Sequence, residues 1–217
     1  MINLRVIGDV HGRVQTYLEL CRQAEMSVQV GDLSSSHFDF FNTSDLNPEK
    51  HRFFCGNHDN YPLAEQSPHN MGDFGVFEVP GWGRVFFMRG AFSIDRNQTR
   101  RIIFPEEELS YNQSLQAIEL YEQTKPDILL THDCAKSTVL SLSNKEILRF
   151  FGWDHEPLSI TQQTIEVMIE SHRPKYHVFG HHHRWYHKKL DGTYFICLPK
   201  MALIDFNDNG NISFDQY

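Results

Sequence analysis

The stretch NLRVIGDVHG, residues 3–12, places a strand-like apolar run directly before a turn that carries an acid, a histidine and two glycines. Apolar residues at helical spacing follow between positions 14 and 21, so the stretch is typical of a strand that leads through a turn into a helix. Asp9 and His11 are two residues apart. In extended chain they point to the same side and could reach one metal ion together.

The same arrangement, an apolar run that ends at ligand-type residues, recurs four times along the chain. The later clusters are Gly31-Asp32, Gly56-Asn57-His58-Asp59, Thr131-His132-Asp133 and Gly180-His181-His182-His183. Side chains that follow successive parallel strands gather at one edge of a sheet. The pattern therefore predicts a two-metal centre of mixed histidine and carboxylate ligands, a type of site suited to the hydrolysis of phosphate esters.

Strand-like runs alternate with helical patterns, which indicates largely parallel pairing. Residues 75–88 instead read as a hairpin, and residues 194–214 as short strands with an Asn209-Gly210 turn. One helix is expected to begin at Pro105 and another to end before Pro174. We predict an α/β fold, a four-layer α-β-β-α sandwich. Two mixed sheets would lie face to face with helices outside, and the dinuclear metal site would lie at the C-terminal ends of the strands. A single domain over residues 1–217 is expected.

Composition narrows the class of protein. Hydrophobic residues make up 40% and charged residues 22% of the chain, as in ordinary globular proteins, and no apolar run approaches the ~20 residues that span a bilayer. No secretion signal is evident at the N-terminus, and the four cysteines form no CxxC pair. We therefore expect a cytoplasmic protein with free thiols and no membrane contact. The net charge of −8 argues against extended binding to nucleic acid.

Taken together and in this order, the five clusters resemble the motifs GDxHG, GD, GNHD or GNHE, a lone His and GHxH of the calcineurin-like metallophosphoesterase superfamily. The resemblance spans residues 8–183. It implies that Asp9, His11, Asp32 and His183 hold one metal ion, and that Asp32, Asn57, His132 and His181 hold the other. It also implies that His58 is the catalytic histidine and that Asp59 orients it. His182 fills the variable position of GHxH and is not counted as a ligand.

The resemblance further implies a mechanism in which two divalent ions clamp the phosphate and a metal-bridging hydroxide attacks phosphorus. His58 would stabilise the developing charge or protonate the leaving oxygen. Manganese is the first choice of metal, while iron, zinc, cobalt and nickel also suit the mixed nitrogen and oxygen ligands. The expected activity is hydrolysis of a small phosphorylated substrate, which could be a phosphomonoester, a phosphodiester or a nucleotide. The oligomeric state is left open.

Three alternatives differ from this hypothesis in substrate or in activity. A protein serine/threonine phosphatase is disfavoured because residues 31–36 read GDLSSS, without the arginine of the GDxVDRG motif. A nuclease is disfavoured by the acidic charge, and a non-catalytic scaffold by the complete ligand set. Candidate substrate contacts are Arg13, Arg96, Arg100 and Arg101. The loops at residues 60–72 and 95–101 are expected to rim the pocket.

Overall fold

The computed structural model describes residues 1–96 and 104–217, and its strands form two mixed sheets. The strands are β1 (Ile2–Ile7), β2 (Ser27–Val30), β3 (His51–Phe54), β4 (Phe74–Val79), β5 (Gly83–Met88), β6 (Ile128–Thr131), β7 (Tyr176–Phe179), β8 (Tyr186–Leu190), β9 (Thr193–Cys197), β10 (Ala202–Asn207) and β11 (Ile212–Gln216). The helices are α1 (Val14–Arg22), α2 (Tyr61–Ala64), α3 (Tyr111–Thr124), α4 (Lys136–Leu142), α5 (Lys145–Phe150) and α6 (Ile160–Ser171).

The first sheet has the strand order β11-β10-β1-β2-β3, and the second has the order β4-β5-β6-β7-β9-β8. In the first sheet β1, β2 and β3 are parallel, whereas β10 and β11 are antiparallel neighbours. In the second sheet β5, β6, β7 and β9 are parallel, and β4 and β8 are antiparallel edge strands. The C-terminal ends of the parallel strands in each sheet therefore meet at one edge, as predicted.

One apolar core lies between the sheets and an outer core covers each of them. Strand β1 shows how alternation divides its residues, because Leu4 and Val6 pack between the sheets while Ile7 packs on the opposite face. Tyr17 on α1 joins Ile7 in the outer core of the first sheet. Tyr121 on α3 and residues of α6 cover the second sheet. This confirms the predicted four-layer α-β-β-α arrangement.

Local structure departs from the sequence-based expectations at two places around the second sheet. Pro105 begins only a 3₁₀ turn, Pro105–Glu107, and α3 begins separately after Ser110. Ser110 and Gln113 form a capping box there, a stronger start signal than the proline. Helices α4 and α5 were not expected from the sequence, because each is shorter than the window over which helical periodicity is visible.

The segment at residues 60–72 also differs from expectation. Instead of rimming the site cavity, it runs beside β3, where Phe53 N–H donates to the carbonyl of His69 and Met71 N–H donates to the carbonyl of Phe53. The segment thus covers the edge of the first sheet. Within the described parts of the chain, no helix is both long and apolar enough to cross a membrane.

Candidate active site

Five strand ends bring the seven expected metal-ligand residues to one place. Turns after β1, β2 and β3 of the first sheet carry Asp9, His11, Asp32 and Asn57. Turns after β6 and β7 of the second sheet carry His132, His181 and His183. The site therefore lies across the edge where both sheets end. This follows from the parallel topology, since parallel neighbours end on the same side.

Two buried carboxylates form the centre of the site, and each is anchored through one oxygen only. Oδ1 of Asp9 accepts a hydrogen bond from the backbone N–H of His181 at 3.1 Å, and Oδ1 of Asp32 accepts one from His58 N–H at 2.9 Å. Oδ2 of each carboxylate is buried and receives no aligned hydrogen bond from the described residues, although Nε2 of His183 lies 2.8 Å from Oδ2 of Asp9. Buried polar atoms are normally satisfied, so both atoms are suited to bind a cation.

Two histidines complete a first group of ligand atoms around Asp9 and Asp32. Nε2 of His183 lies 2.8 Å from Asp9 Oδ2 and 3.0 Å from Nε2 of His11. The latter atom lies 3.7 Å from Asp9 Oδ2 and 3.8 Å from Asp32 Oδ2. One ligand atom from each of the four residues lies within 4.8 Å of the other three. Mixed imidazole and carboxylate donors at this spacing could hold a transition-metal ion.

A second group of donor atoms converges on the amide oxygen of Asn57. Nε2 of His132 lies 3.1 Å from Asn57 Oδ1 and 3.3 Å from Asp32 Oδ1, and Nδ1 of His181 lies 3.0 Å from Asn57 Oδ1. Nδ1 of His132 is 2.7 Å from the carbonyl oxygen of Val30. A hydrogen bond there leaves Nε2 directed into the site, as second-shell partners of ligand histidines do. Asp32 contacts both groups.

The electrostatics of the site favour a cation. Burial by itself would lower the pKa of His132, but the charge and hydrogen bond of Asp32, with the charge of Asp9, raise it to about 10. Nearby negative charge must be strong to overcome desolvation in this way. By contrast, desolvation dominates at His181 and lowers its pKa to about 3. His181 is therefore a neutral imidazole, which is the form that binds a metal, whereas His132 would release a proton on binding one.

The backbone of the site takes conformations that are uncommon outside glycine. His11, Asp32, His181 and His183 have φ values of 47°, 59°, 64° and 53°. Such left-handed residues are a few per cent of non-glycine residues and concentrate at functional sites. They turn the chain sharply at the strand end, so that the side chains face the opposite sheet.

Two motif glycines make room for the ligands. A Cβ atom at Gly56 would collide with Asp32 Oδ1 and His132 Nε2, and one at Gly180 would collide with Asp9 Oδ1. These glycines therefore permit a close approach of backbone to side chain. Glycine precedes Asn57 and His181 because a proposed ligand from another strand occupies the space that a larger side chain would need.

His58 and Asp59 take different positions beside the donor atoms. The half-buried ring of His58 lies 5.9 Å from the His11 ring between centroids, and its Nε2 is 3.3 Å from Nδ2 of Asn57. Asp59 is buried, and its carboxylate accepts hydrogen bonds from three backbone amides, those of Asp32, Ser34 and Gly56, each at 2.8 Å. Asp59 thus ties the turns after β2 and β3 together.

A hydrogen-bonded chain that sequence reasoning missed orients Asn57. Nδ2 of Asn57 donates to Ser93 Oγ at 2.9 Å, and Ser93 Oγ donates to Glu107 Oε2 at 2.5 Å. Glu107 also pairs with Arg96, whose guanidinium lies 3.8 Å from the centre of the Phe92 ring. With Nδ2 occupied, Oδ1 of Asn57 faces the histidines. No local sequence pattern connects these residues, because the chain forms only in the tertiary structure.

The four arginines expected to contact substrate have different surroundings. Arg13 is exposed directly before α1, and Arg96 is directed to Glu107. Arg100 and Arg101 lie outside the described residues. Two other basic residues, Arg184 and Lys200, line a cavity of about 390 Å³ together with His58. They follow β7 and β9, and no cluster of basic residues marks them in the sequence, because each is isolated from other basic residues.

His182 belongs to a separate cluster beside the site. Its Nε2 lies 3.1 Å from Oδ1 of Asp133 and 3.5 Å from Sγ of Cys134. Gln162 Nε2 donates to the other carboxylate oxygen of Asp133 at 2.9 Å, and Cys134 N–H donates to Oδ1 at 2.8 Å. Burial raises the pKa of the Cys134 thiol well above its usual range. His182 is therefore held outside the first group of ligand atoms.

Comparisons with known proteins agree with the fold. The model of the calcineurin-like phosphoesterase family matches residues 2–185. A lariat debranching enzyme of Entamoeba histolytica is 31% identical over 84 residues, which cover 38% of this chain and 24% of that enzyme. The match therefore spans about a quarter of the length of that relative.

Solved structures share the fold at low sequence identity. Phosphopantetheinyl hydrolase of Mycobacterium tuberculosis matches with a TM-score of 0.57 and 15% identity, over 91% of this chain and 89% of that one. A Thermus thermophilus protein matches with a TM-score of 0.57 and 12% identity, over 100% of this chain and 99% of that one. At such identities the likeness establishes the fold alone.

Proposed function

Because the chain belongs to the calcineurin-like phosphoesterase family, whose members are hydrolases of phosphate esters, we propose that it is a two-metal-dependent phosphohydrolase of a small phosphorylated substrate. One observation carries the proposal. The buried Oδ2 atoms of Asp9 and Asp32 receive no aligned hydrogen bond from the described residues, while imidazole nitrogens, which can also bind a metal, converge on them. Uncompensated buried carboxylate oxygens are costly unless a cation satisfies them.

The donor set fits two divalent ions. Asp9, His11, Asp32 and His183 would hold one ion, and Asp32, Asn57, His132 and His181 would hold the other, so that Asp32 bridges. Mixed nitrogen and oxygen donors suit manganese, our first choice, and also iron, zinc, cobalt or nickel. When bound, the two ions would supply Lewis-acid activation of water and of the phosphoryl oxygens.

The chain's own residues would support the reaction in three ways. Asp59 holds the turns that carry Asp32 and His58 through its bonds to backbone amides. The ring of His58 lines the cavity beside Asn57, where it would donate a proton to the leaving oxygen or stabilise negative charge. His181, kept neutral by desolvation, would remain available as a ligand across the neutral pH range.

Several observations support a small substrate rather than a macromolecule. Three of the proposed ligands, Asn57, His181 and His183, line a cavity of about 390 Å³, and the net charge is −8. In the second motif the position after Asp32 is Leu33, a fully buried core residue, and no arginine follows it. All four cysteines are free and buried, which supports the proposal of a reducing cytoplasm as the compartment.

The test is an assay of phosphate release after metal removal. We expect chelator-treated protein to lose hydrolysis of p-nitrophenyl phosphate, and Mn²⁺ to restore it with about two ions bound per chain. A panel of phosphomonoesters, phosphodiesters and nucleotides, with Mn, Fe, Zn, Ni and Mg in turn, would identify substrate class and metal. Undiminished turnover by rigorously metal-free protein would contradict the proposal.

A further inference from the structure

The cavity beside the proposed ligands is larger than a phosphate group needs. Asn57, His58, His181 and His183 form one part of its lining, so the reacting phosphate would lie there. Its volume of about 390 Å³ falls within the ~300–1,000 Å³ of small-molecule sites. The cavity therefore has room for the organic part of a phosphate ester.

About half of the remaining lining residues are apolar, and five of these form one wall. It includes Phe92 from the segment after β5, and Leu142, Ile147, Leu148 and Phe151 from the region of α4 and α5. Leu142 and Leu148 are buried, whereas Ile147 is 42% exposed and Phe151 is half-buried. A partly exposed apolar wall beside a charged centre can bury the apolar surface of a ligand.

This wall is braced by specific contacts. The ring of Trp153 packs against Phe92 at 5.7 Å between centroids in an edge-to-face arrangement. Trp153 Nε1 donates to the carbonyl of Ile94 at 2.6 Å, and Trp153 N–H donates to that of Leu148 at 2.9 Å. The two segments that supply the apolar residues are thus joined, and the wall is a built feature.

Charges outside the donor set are balanced among the described lining residues. Arg184 and Lys200 line the cavity, and so do Asp95 and Glu156. These two bases and two acids leave no net charge among them to select an anionic or a cationic group. An organic part without net charge is therefore favoured, and the phosphate alone would be drawn to the metal centre.

We propose that this cavity binds the leaving group of the substrate, so that the preferred substrate is the phosphate ester of an uncharged alcohol with an apolar ring, of aryl or nucleoside size. The proposal rests on the proposed function, because the phosphate must lie at the two-metal centre. Phe151 contributes a specificity-determining face of the wall.

The test compares two neighbouring phenylalanines. Phe151 lines the cavity, whereas Phe150 is 76% exposed and is not part of the lining. Phe151→Ala and Phe150→Ala proteins loaded with Mn²⁺ are titrated calorimetrically with phenylphosphonate and 2-naphthylphosphonate, which cannot be hydrolysed. Turnover of phenyl phosphate and 2-naphthyl phosphate is measured in parallel.

We expect wild type to bind the naphthyl compound more tightly than the phenyl compound. Phe151→Ala should reduce that preference about fivefold, since part of the contact area is lost. Phe150→Ala should leave the preference unchanged. Thermal unfolding checks each variant, and Ile147→Ala, with the same expectation, replaces Phe151→Ala if the latter does not fold.

The outcomes separate the two proposals. Absence of a naphthyl preference in wild type, or equal behaviour of the two phenylalanine variants, would overturn the leaving-group pocket even if both esters are hydrolysed. Selective binding that depends on Phe151, without hydrolysis of either ester, would support the pocket and count against the phosphohydrolase activity.

Discussion

Two clusters of metal-capable side chains lie next to each other in this protein, and they differ in how their carboxylates are satisfied. In the first, Asp9 and Asp32 each leave one buried oxygen that receives no aligned hydrogen bond from the described residues and has only imidazole nitrogens beside it among their ion-pair contacts. In the second, both oxygens of Asp133 accept hydrogen bonds, from Cys134 N–H and Gln162, and His182 lies within 3.1 Å. The same residue types thus form an open coordination site in one place and a closed network in the other.

The difference shows that a metal site needs carboxylate oxygens that are free of other hydrogen bonds, as well as suitable residue types. The first cluster belongs to a set of seven proposed ligands from five strand ends, and four of these residues have left-handed backbone. In the second, Asp133 and Cys134 are adjacent in sequence, and His182, 49 residues away, lies between two proposed ligands. We therefore expect the second cluster to position the loop that carries His181 and His183.

The largest expected effect is that of Asp32→Asn. Asp32 would bridge the two ions, so the variant should lose most of its bound metal and its turnover should fall close to background. Metal content by mass spectrometry and hydrolysis of p-nitrophenyl phosphate check this. A variant that kept both ions and a near-normal rate would show that Asp32 is not the bridge.

The second-largest loss of turnover is expected for His58→Ala, which should keep its bound metal. General acid–base help is typically worth ~10²–10⁴-fold, so kcat should fall in this range for an ester with a poor leaving group. The loss should be smaller for p-nitrophenyl phosphate, whose leaving group needs little protonation. Equal losses for both esters would argue against an acid role, and loss of metal would place His58 among the ligands.

Glu107→Gln tests the hydrogen-bonded chain that holds Asn57, one of the proposed metal ligands. The chain from Glu107 through Ser93 orients Asn57, and second-shell changes of this kind typically weaken metal binding by ~10–100-fold. We expect Mn²⁺ affinity to fall within this range. Glu106→Gln is the matched control, because Glu106 is exposed. If both variants bound Mn²⁺ equally well, the chain would have no part in holding Asn57 for the metal.

The smallest effect on metal content is expected for Asp133→Asn, the counterpart of Asp32→Asn in the closed cluster. It should still bind two ions per chain, since Asp133 is not among the proposed ligands. Its stability should fall by about 1–3 kcal/mol, because the variant disturbs a buried hydrogen-bonded network. Metal analysis and denaturant unfolding measure the two quantities. If Asp133→Asn lost as much bound metal as Asp32→Asn, the proposal that only the first cluster binds metal would be wrong.

The sequence by itself determined the positions of the main strands, the layers and the family. Apolar periodicity is a local property, and the motif residues lie directly after the strands, so both are readable along the chain. The expectation of helix α1 at residues 14–21 and of the hairpin at residues 75–88 was confirmed for the same reason.

Only the tertiary structure decided which donor atoms remain unsatisfied and which side chains support them. Ser93 and Glu107 reach Asn57 across 36 and 50 residues of chain, and Asp133 meets Gln162 and His182 from two other elements. Hydrogen bonds of this kind depend on the packing of two sheets and their outer helices. Their partners are distant in sequence and leave no periodic signal, so no window of residues could predict them.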